Sequence, residues 1–175
     1  MTHATSGQRR SLVTLRLLAL TALDVLDLTD ERGHESGDDR PRLYLSAIVG
    51  WTRGDVTGPQ LGAALRAHSI AMAARRWGVA EAETPPVVRA WDTAMMWLSD
   101  ARADLYDHPT HRHHEGRVLA SLAEVLSAAT GDPLEACRAR VVEVSRVHVT
   151  SEASSGVVAP MAVTGDSGPL FGGVR

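Results

Sequence analysis

Four histidines, His108, His111, His113 and His114, fall within seven residues, and two carboxylates, Asp104 and Asp107, precede them. Imidazole nitrogens beside carboxylate oxygens form a donor set that suits zinc or another divalent ion. On one continuous helix Asp104, His108 and His111 would project from one side, but Pro109 opposes that continuity because it lacks the N–H a helix interior needs. The paired spacings typical of zinc sites are missing. The competing reading is a set of wet side chains at a turn between helices. No metal or other cofactor is therefore expected, and Asp104, His108, His111 and His114 are the ligands to examine if one binds. Gly165-Asp166-Ser167-Gly168 copies the nucleophile signature of trypsin-like serine proteases. That chemistry needs a histidine and an aspartate partner on a double β-barrel, for which this chain has no place.

Other chemistries are removed by composition. All 18 basic residues are Arg, so there is no Schiff-base lysine, no phosphate-loop lysine and no kinase ion pair. The sequence holds no Gly-rich phosphate loop, His-Glu-x-x-His, Cys-x-x-Cys or Gly-x-Ser-x-Gly. Cys137 is the single cysteine and cannot bridge within the chain, which fits a reducing cytoplasm. A net charge of −3 makes a basic nucleic-acid-binding domain a poor default. Arg9 and Arg10 precede an apolar run, but Arg16, Asp24 and Asp27 interrupt it, so neither a secretion leader nor a membrane span is expected.

The elements that must position these residues are helices. At 175 residues the prior is one domain with a core of its own, and Ala and Leu are abundant while Phe is nearly absent. The fold class expected is all-α: a single bundle of about six helices over residues 10–150, with a disordered tail over 151–175, where Ser, Gly, Ala, Val and Pro follow no period. A first helix runs from Ser11 to about Thr29 with Leu12, Leu15, Ala19, Ala22 and Leu26 on one stripe. A second enters at Asp38 and Asp39, carries Pro41 in its first turn, buries Leu43, Tyr44, Ala47, Ile48 and Trp51, and stops at Gly54. A third has Thr57 as its cap, Leu61, Ala64, Leu65, His68, Ala71 and Met72 inside, and Gly78 as its end. His68, in the middle of that face, reads as a core histidine.

The fourth helix opens at Pro85-Pro86, after the candidate cap Thr84. Val87, Trp91, Ala94, Leu98, Ala101 and Leu105 give the strongest periodic signal in the chain. Trp97 lies off that stripe, so either a second element contacts it or it is partly exposed. Asp100, Asp104 and Asp107 form an acidic flank. A fifth helix starts at Thr110 or His111, buries Val118, Leu122, Val125 and Leu126, and stops at Gly131. A sixth follows Asp132-Pro133 and buries Leu134, Cys137, Val141 and Val144.

Asp39-Arg40-Pro41-Arg42, the Ala47-Ile48 pair, Trp51-Thr52-Arg53-Gly54 and the Ala-rich stretch around Ala67-His68 resemble a family of all-helical bacterial proteins known as immunity proteins. The match covers residues 12 to 77. The family continues with a second helix rich in Ala and His, whereas the fourth helix here carries Trp91, Met95, Met96 and Trp97. The resemblance implies a non-enzymatic protein that neutralises a toxin encoded nearby by occupying its surface. Asp24, Asp27, Asp30 and Glu31, or Asp100, Asp104 and Asp107, would then face a basic partner and speed encounter. The motif residues Asp39, Arg40, Pro41, Arg42, Trp51, Gly54 and His68 are expected to be structural, with Arg40 and Arg42 pairing with carboxylates on a neighbouring helix and Trp51 filling the contact between the second and third helices. The alternative is a metal-dependent enzyme or metal-binding protein using the region from His108 to His114. A third reading is a helical DNA-binding regulator with Arg66, Arg75, Arg76, Arg112 and Arg117 on phosphates, against which the Arg residues are interleaved with carboxylates.

Overall fold

Six α-helices follow one another: α1 Ser6–Asp30, α2 Arg40–Arg53, α3 Gly58–Gly78, α4 Pro86–Ala103, α5 His108–Thr130 and α6 Leu134–Ser154. The structure is a computed structural model that describes residues 6–30, 39–78, 84–105 and 108–154, with side chains described for 10–30, 39–73, 84–105 and 113–154. Among the described residues there is no strand, and the chain is an all-α bundle. Residues 151–154, expected in the tail, belong to α6, which continues to Ser154; residues 155–175, with the Gly165–Gly168 motif, lie outside the described residues. No described helix is long and apolar enough to cross a membrane.

The first helix is the axis of the bundle, packing against α2, α4, α5 and α6. Leu15, Leu18, Ala19, Ala22, Val25 and Leu26 are buried as the stripe predicts, but so are Ser11, Arg16, Thr21 and Thr29. A helix with neighbours on several sides must bury polar residues too, and each then needs a partner. Thr21 and Thr29 donate their hydroxyls to the carbonyls of Leu17 at 2.8 Å and Leu26 at 2.7 Å. Arg16 reaches across to α6, where Nη1 lies 3.2 and 3.4 Å from the two carboxylate oxygens of Glu152. The same carboxylate faces Arg53 at the end of α2 at 3.9 Å. α1 also begins earlier than the sequence suggests, at Ser6, where Gln8, Arg9 and Arg10 are good helix formers.

In α2 the buried face is Pro41, Tyr44, Leu45, Ile48 and Val49. The expected face was rotated too far: Leu43 is 61% exposed and points away from the core. Leu43, Tyr44 and Leu45 are three adjacent apolar residues, and a stripe can be drawn through either pair. Packing on α1 selects the pair with Leu45. Trp51 lies on the flank of this face, half-buried and packed against the core. Asp39 precedes the helix without a side-chain cap bond, contrary to expectation; its carbonyl accepts from Leu43 N–H at 2.9 Å. Arg42 does meet carboxylates of α1, with Nη2 2.6 Å from Asp27 and 2.9 Å from Asp30. The hydrogen bond that Arg42 donates to Asp27 raises the Arg42 pKa, against desolvation by burial.

Gly54 ends α2 in the left-handed region at φ 92°, where a side chain would be strained. Gly50 accepts the N–H groups of Asp55 and Val56, and a Cβ on it would fall 2.5 Å from Val56 Cγ2. This tight turn reverses the chain into α3, where Gln60 Oε1 accepts both the N–H and the hydroxyl of Thr57 at 2.8 Å. At the start of α4 the capping position belongs to Pro85, not Thr84. Pro109 falls in the first turn of α5, where its missing N–H has no helical partner to lose. This explains why α5 starts at His108 and not at Thr110.

Glu152→Ala leaves a buried guanidinium without its closest counter-charge and should cost about 3–5 kcal/mol in urea unfolding, while the double change Arg16→Met with Glu152→Leu should recover most of that loss. A Glu152→Ala protein as stable as the parent would contradict the pairing.

Candidate functional site

The expected histidine and aspartate site is partly assembled, and what is assembled works as a clamp. Asp104 caps α4 with its own N–H bonded to the Asp100 carbonyl at 2.9 Å, which aims its carboxylate at α5. There Oδ2 lies 2.9 Å from Nε2 of His114, a residue only 7% exposed. Trp97 closes the group, with the His114 ring 5.6 Å away, the His113 ring edge-on at 6.1 Å and the Arg117 guanidinium 5.4 Å from its centroid. The off-stripe tryptophan is thus contacted by a second helix. These contacts lock α4 to α5, its most extensive partner in the fold. Among the described residues no three His, Cys, Asp or Glu side chains gather as a metal-binding group. The side chains of Asp107, His108 and His111 lie outside the described residues.

Most of the carboxylates expected to greet a basic partner have partners within the fold. Asp24 accepts from Nε2 of His148 on α6 at 2.7 Å, Asp27 and Asp30 hold Arg42, and Asp104 holds His114. Glu31 lies outside the described residues. Asp100 differs, since no described basic side chain forms an ion pair with it.

Asp100, half-buried, lines a groove that sequence reading did not foresee. Among the described residues α3 packs extensively on α2 alone, whereas α4 packs on α5, and a cleft of about 420 Å³ lies between α3 and α4. Leu65 and Met72 form its α3 wall and Met95 and Met96 its α4 wall. His68, which is buried, and the half-buried Ser99 and Asp100 complete the lining. Met96 is 41% exposed, and Ile70, on the outer side of α3, is 68% exposed. A signal for the groove is present in the sequence: Met95, Met96 and Trp97 are consecutive, and three large apolar residues in a row cannot all face one core.

Tyr44 supports the groove from below. Fully buried on α2, it stacks on His68 of α3 with ring centroids 5.6 Å apart and planes 13° from parallel. Its hydroxyl meets Oγ of Ser99 on α4 at 3.1 Å. One side chain thereby ties three helices at the groove floor. His68 is a core histidine, as its place on the α3 stripe suggests.

No protein-family model matches this chain, and no curated protein or solved structure is significantly similar to it.

Burial pushes the Tyr44 phenol above its ordinary pKa, only partly offset by the Ser99 hydrogen bond and by Arg102. The fold prefers the neutral phenol. Tyr44 therefore adds stability that is intact below the ordinary tyrosine value of about 10 and is lost as pH rises through the higher folded value. Absorbance titration at alkaline pH should show one tyrosine ionising later than normal, a step that Tyr44→Phe abolishes; loss of the Ser99 bond should cost that variant about 0.5–1.5 kcal/mol. A Tyr44 that ionises at the ordinary value would contradict its place under the groove.

Proposed function

We propose that the chain is a non-enzymatic, immunity-like binding protein that neutralises a partner toxin, encoded nearby, by occupying its surface. The observation that carries this reading is the open groove between α3 and α4. Three methionines line this cleft, which the bundle does not fill, whereas the smaller cleft between α4 and α5 is walled largely by polar and small residues such as Arg89, Thr93, Glu124 and Ala128. Methionine is unbranched and polarisable, so a wall built from it adapts to the shape of an incoming side chain. An apolar cleft with a few polar groups at its edge is the usual form of a recognition surface.

The resemblance around Asp39-Arg40-Pro41-Arg42 and Trp51–Gly54 supports the same reading in another way. Those residues fix α2, and α2 carries both α3 and Tyr44. On this account the motif builds the scaffold, and the partner is met elsewhere. Asp100, which lines the groove without an ion-pair partner among the described residues, is the described member of the acidic flank that would meet a basic protein there.

Purified chain mixed with the products of neighbouring genes at micromolar concentration should give a complex on size-exclusion chromatography. Met96→Glu, placed on an exposed residue that the core does not need, should weaken that complex about 30-fold by calorimetry, the scale of a hot-spot loss. If no neighbouring gene product forms a complex, the proposal fails.

A further inference from the structure

We infer that the α3–α4 groove takes an amphipathic α-helix of the partner that carries an arginine or lysine one turn beyond its apolar anchors. This deepens the reading above and rests on the groove being a protein-binding surface. The nature of the guest follows from the walls. Both are α-helices whose backbone groups are bonded internally, so an extended segment laid between them would find no N–H or C=O to pair with and would bury its own unsatisfied. A helix satisfies its backbone by itself and brings only side chains to the cleft.

Length and charge specify the guest further. Leu65 and Met72 are seven residues apart on α3, two turns or roughly 10 Å, which matches anchors at i, i+3 or i+4, and i+7 of a helix lying along the cleft. A cleft of about 420 Å³ holds a few such side chains and not a whole helix, so the guest lies across the rim with its anchors pointing down. On α4, Met96 and Asp100 stand one turn apart, an apolar surface followed by a carboxylate that no described basic side chain pairs with. The complementary sequence is an apolar residue followed, one turn on, by a cation. A carboxylate at that position of the guest would meet Asp100 and be rejected.

Two synthetic alanine-based helices of about 16 residues, long enough to be helical in water, serve as probes. Both carry leucines at i, i+4 and i+7, and they differ only in an Arg or a Glu one turn further on. Titrated into the intact chain, the Arg helix should bind about five- to tenfold more tightly than the Glu helix. Asp100→Arg should reverse that order, and Glu124→Arg, on the exposed side of α5, should leave it unchanged. Equal binding of the two probes, or an order that survives Asp100→Arg, overturns the inference while leaving the groove reading intact, provided that Met96→Glu still weakens the whole partner. Partner binding indifferent to Met96→Glu removes the groove reading itself. Self-association of the chain that Met96→Glu abolishes would place a second copy in the cleft and overturn the inference.

Discussion

A charged side chain inside the central helix sets the terms for this bundle. Arg16 lies in the middle of α1, 6% exposed, where an unmatched guanidinium would be costly. The carboxylate that answers it comes from Glu152, near the end of the last helix. That demand fixes how α6 lies. Its deeply buried apolar residues, Cys137 and Val141, are confined to its first half. Beyond them the helix is held by polar contacts, His148 to Asp24 and then Glu152 to Arg16, with Arg53 of α2 nearby. Ion pairs of this kind add little net stability over a hydrophobic substitute, but they accept only one register. Three helices, α1, α2 and α6, are thereby indexed to one carboxylate.

The opposite side of the molecule follows from what remains. With α1 enclosed by α2, α5, α6 and part of α4, the third helix packs extensively on α2 alone among the described residues. Tyr44 is the strut that keeps it in place, stacked on His68 and bonded to Ser99. Without that strut the cleft would have no floor and no fixed width. The position of the open surface is thus a consequence of how the core closes elsewhere, and Met96, an exposed apolar residue of α4 beside the core residue Met95, lines it.

Much of the architecture could be read from periodicity and punctuation. Stripes at three and four residue steps located the helices, and Pro41, Gly54, Gly131 and Pro133 marked ends, because proline and glycine restrict or permit backbone angles locally. Where three apolar residues adjoin, as at Leu43, Tyr44 and Leu45, local pattern could not choose between two faces, and packing decided. The Arg16–Glu152 pair was out of reach for another reason: its members are 136 residues apart and neither is unusual in its own neighbourhood. Arg16 did signal itself, as a charge inside an apolar run, but nothing local said which carboxylate would answer. The groove was only half legible in the same way: the run Met95-Met96-Trp97 signals an apolar excess on α4, but a gap between helices is a property of their arrangement.

The claim on which the functional account stands is that the cleft between α3 and α4 is the contact surface. Of the five methionines in the sequence, Met72, Met95 and Met96 line it. Methyl resonances of methionine-labelled protein, followed during titration with the bound partner, report on it directly. The account predicts that these three shift and saturate with binding. Saturation of the complex with the three groove methyls unmoved would contradict it.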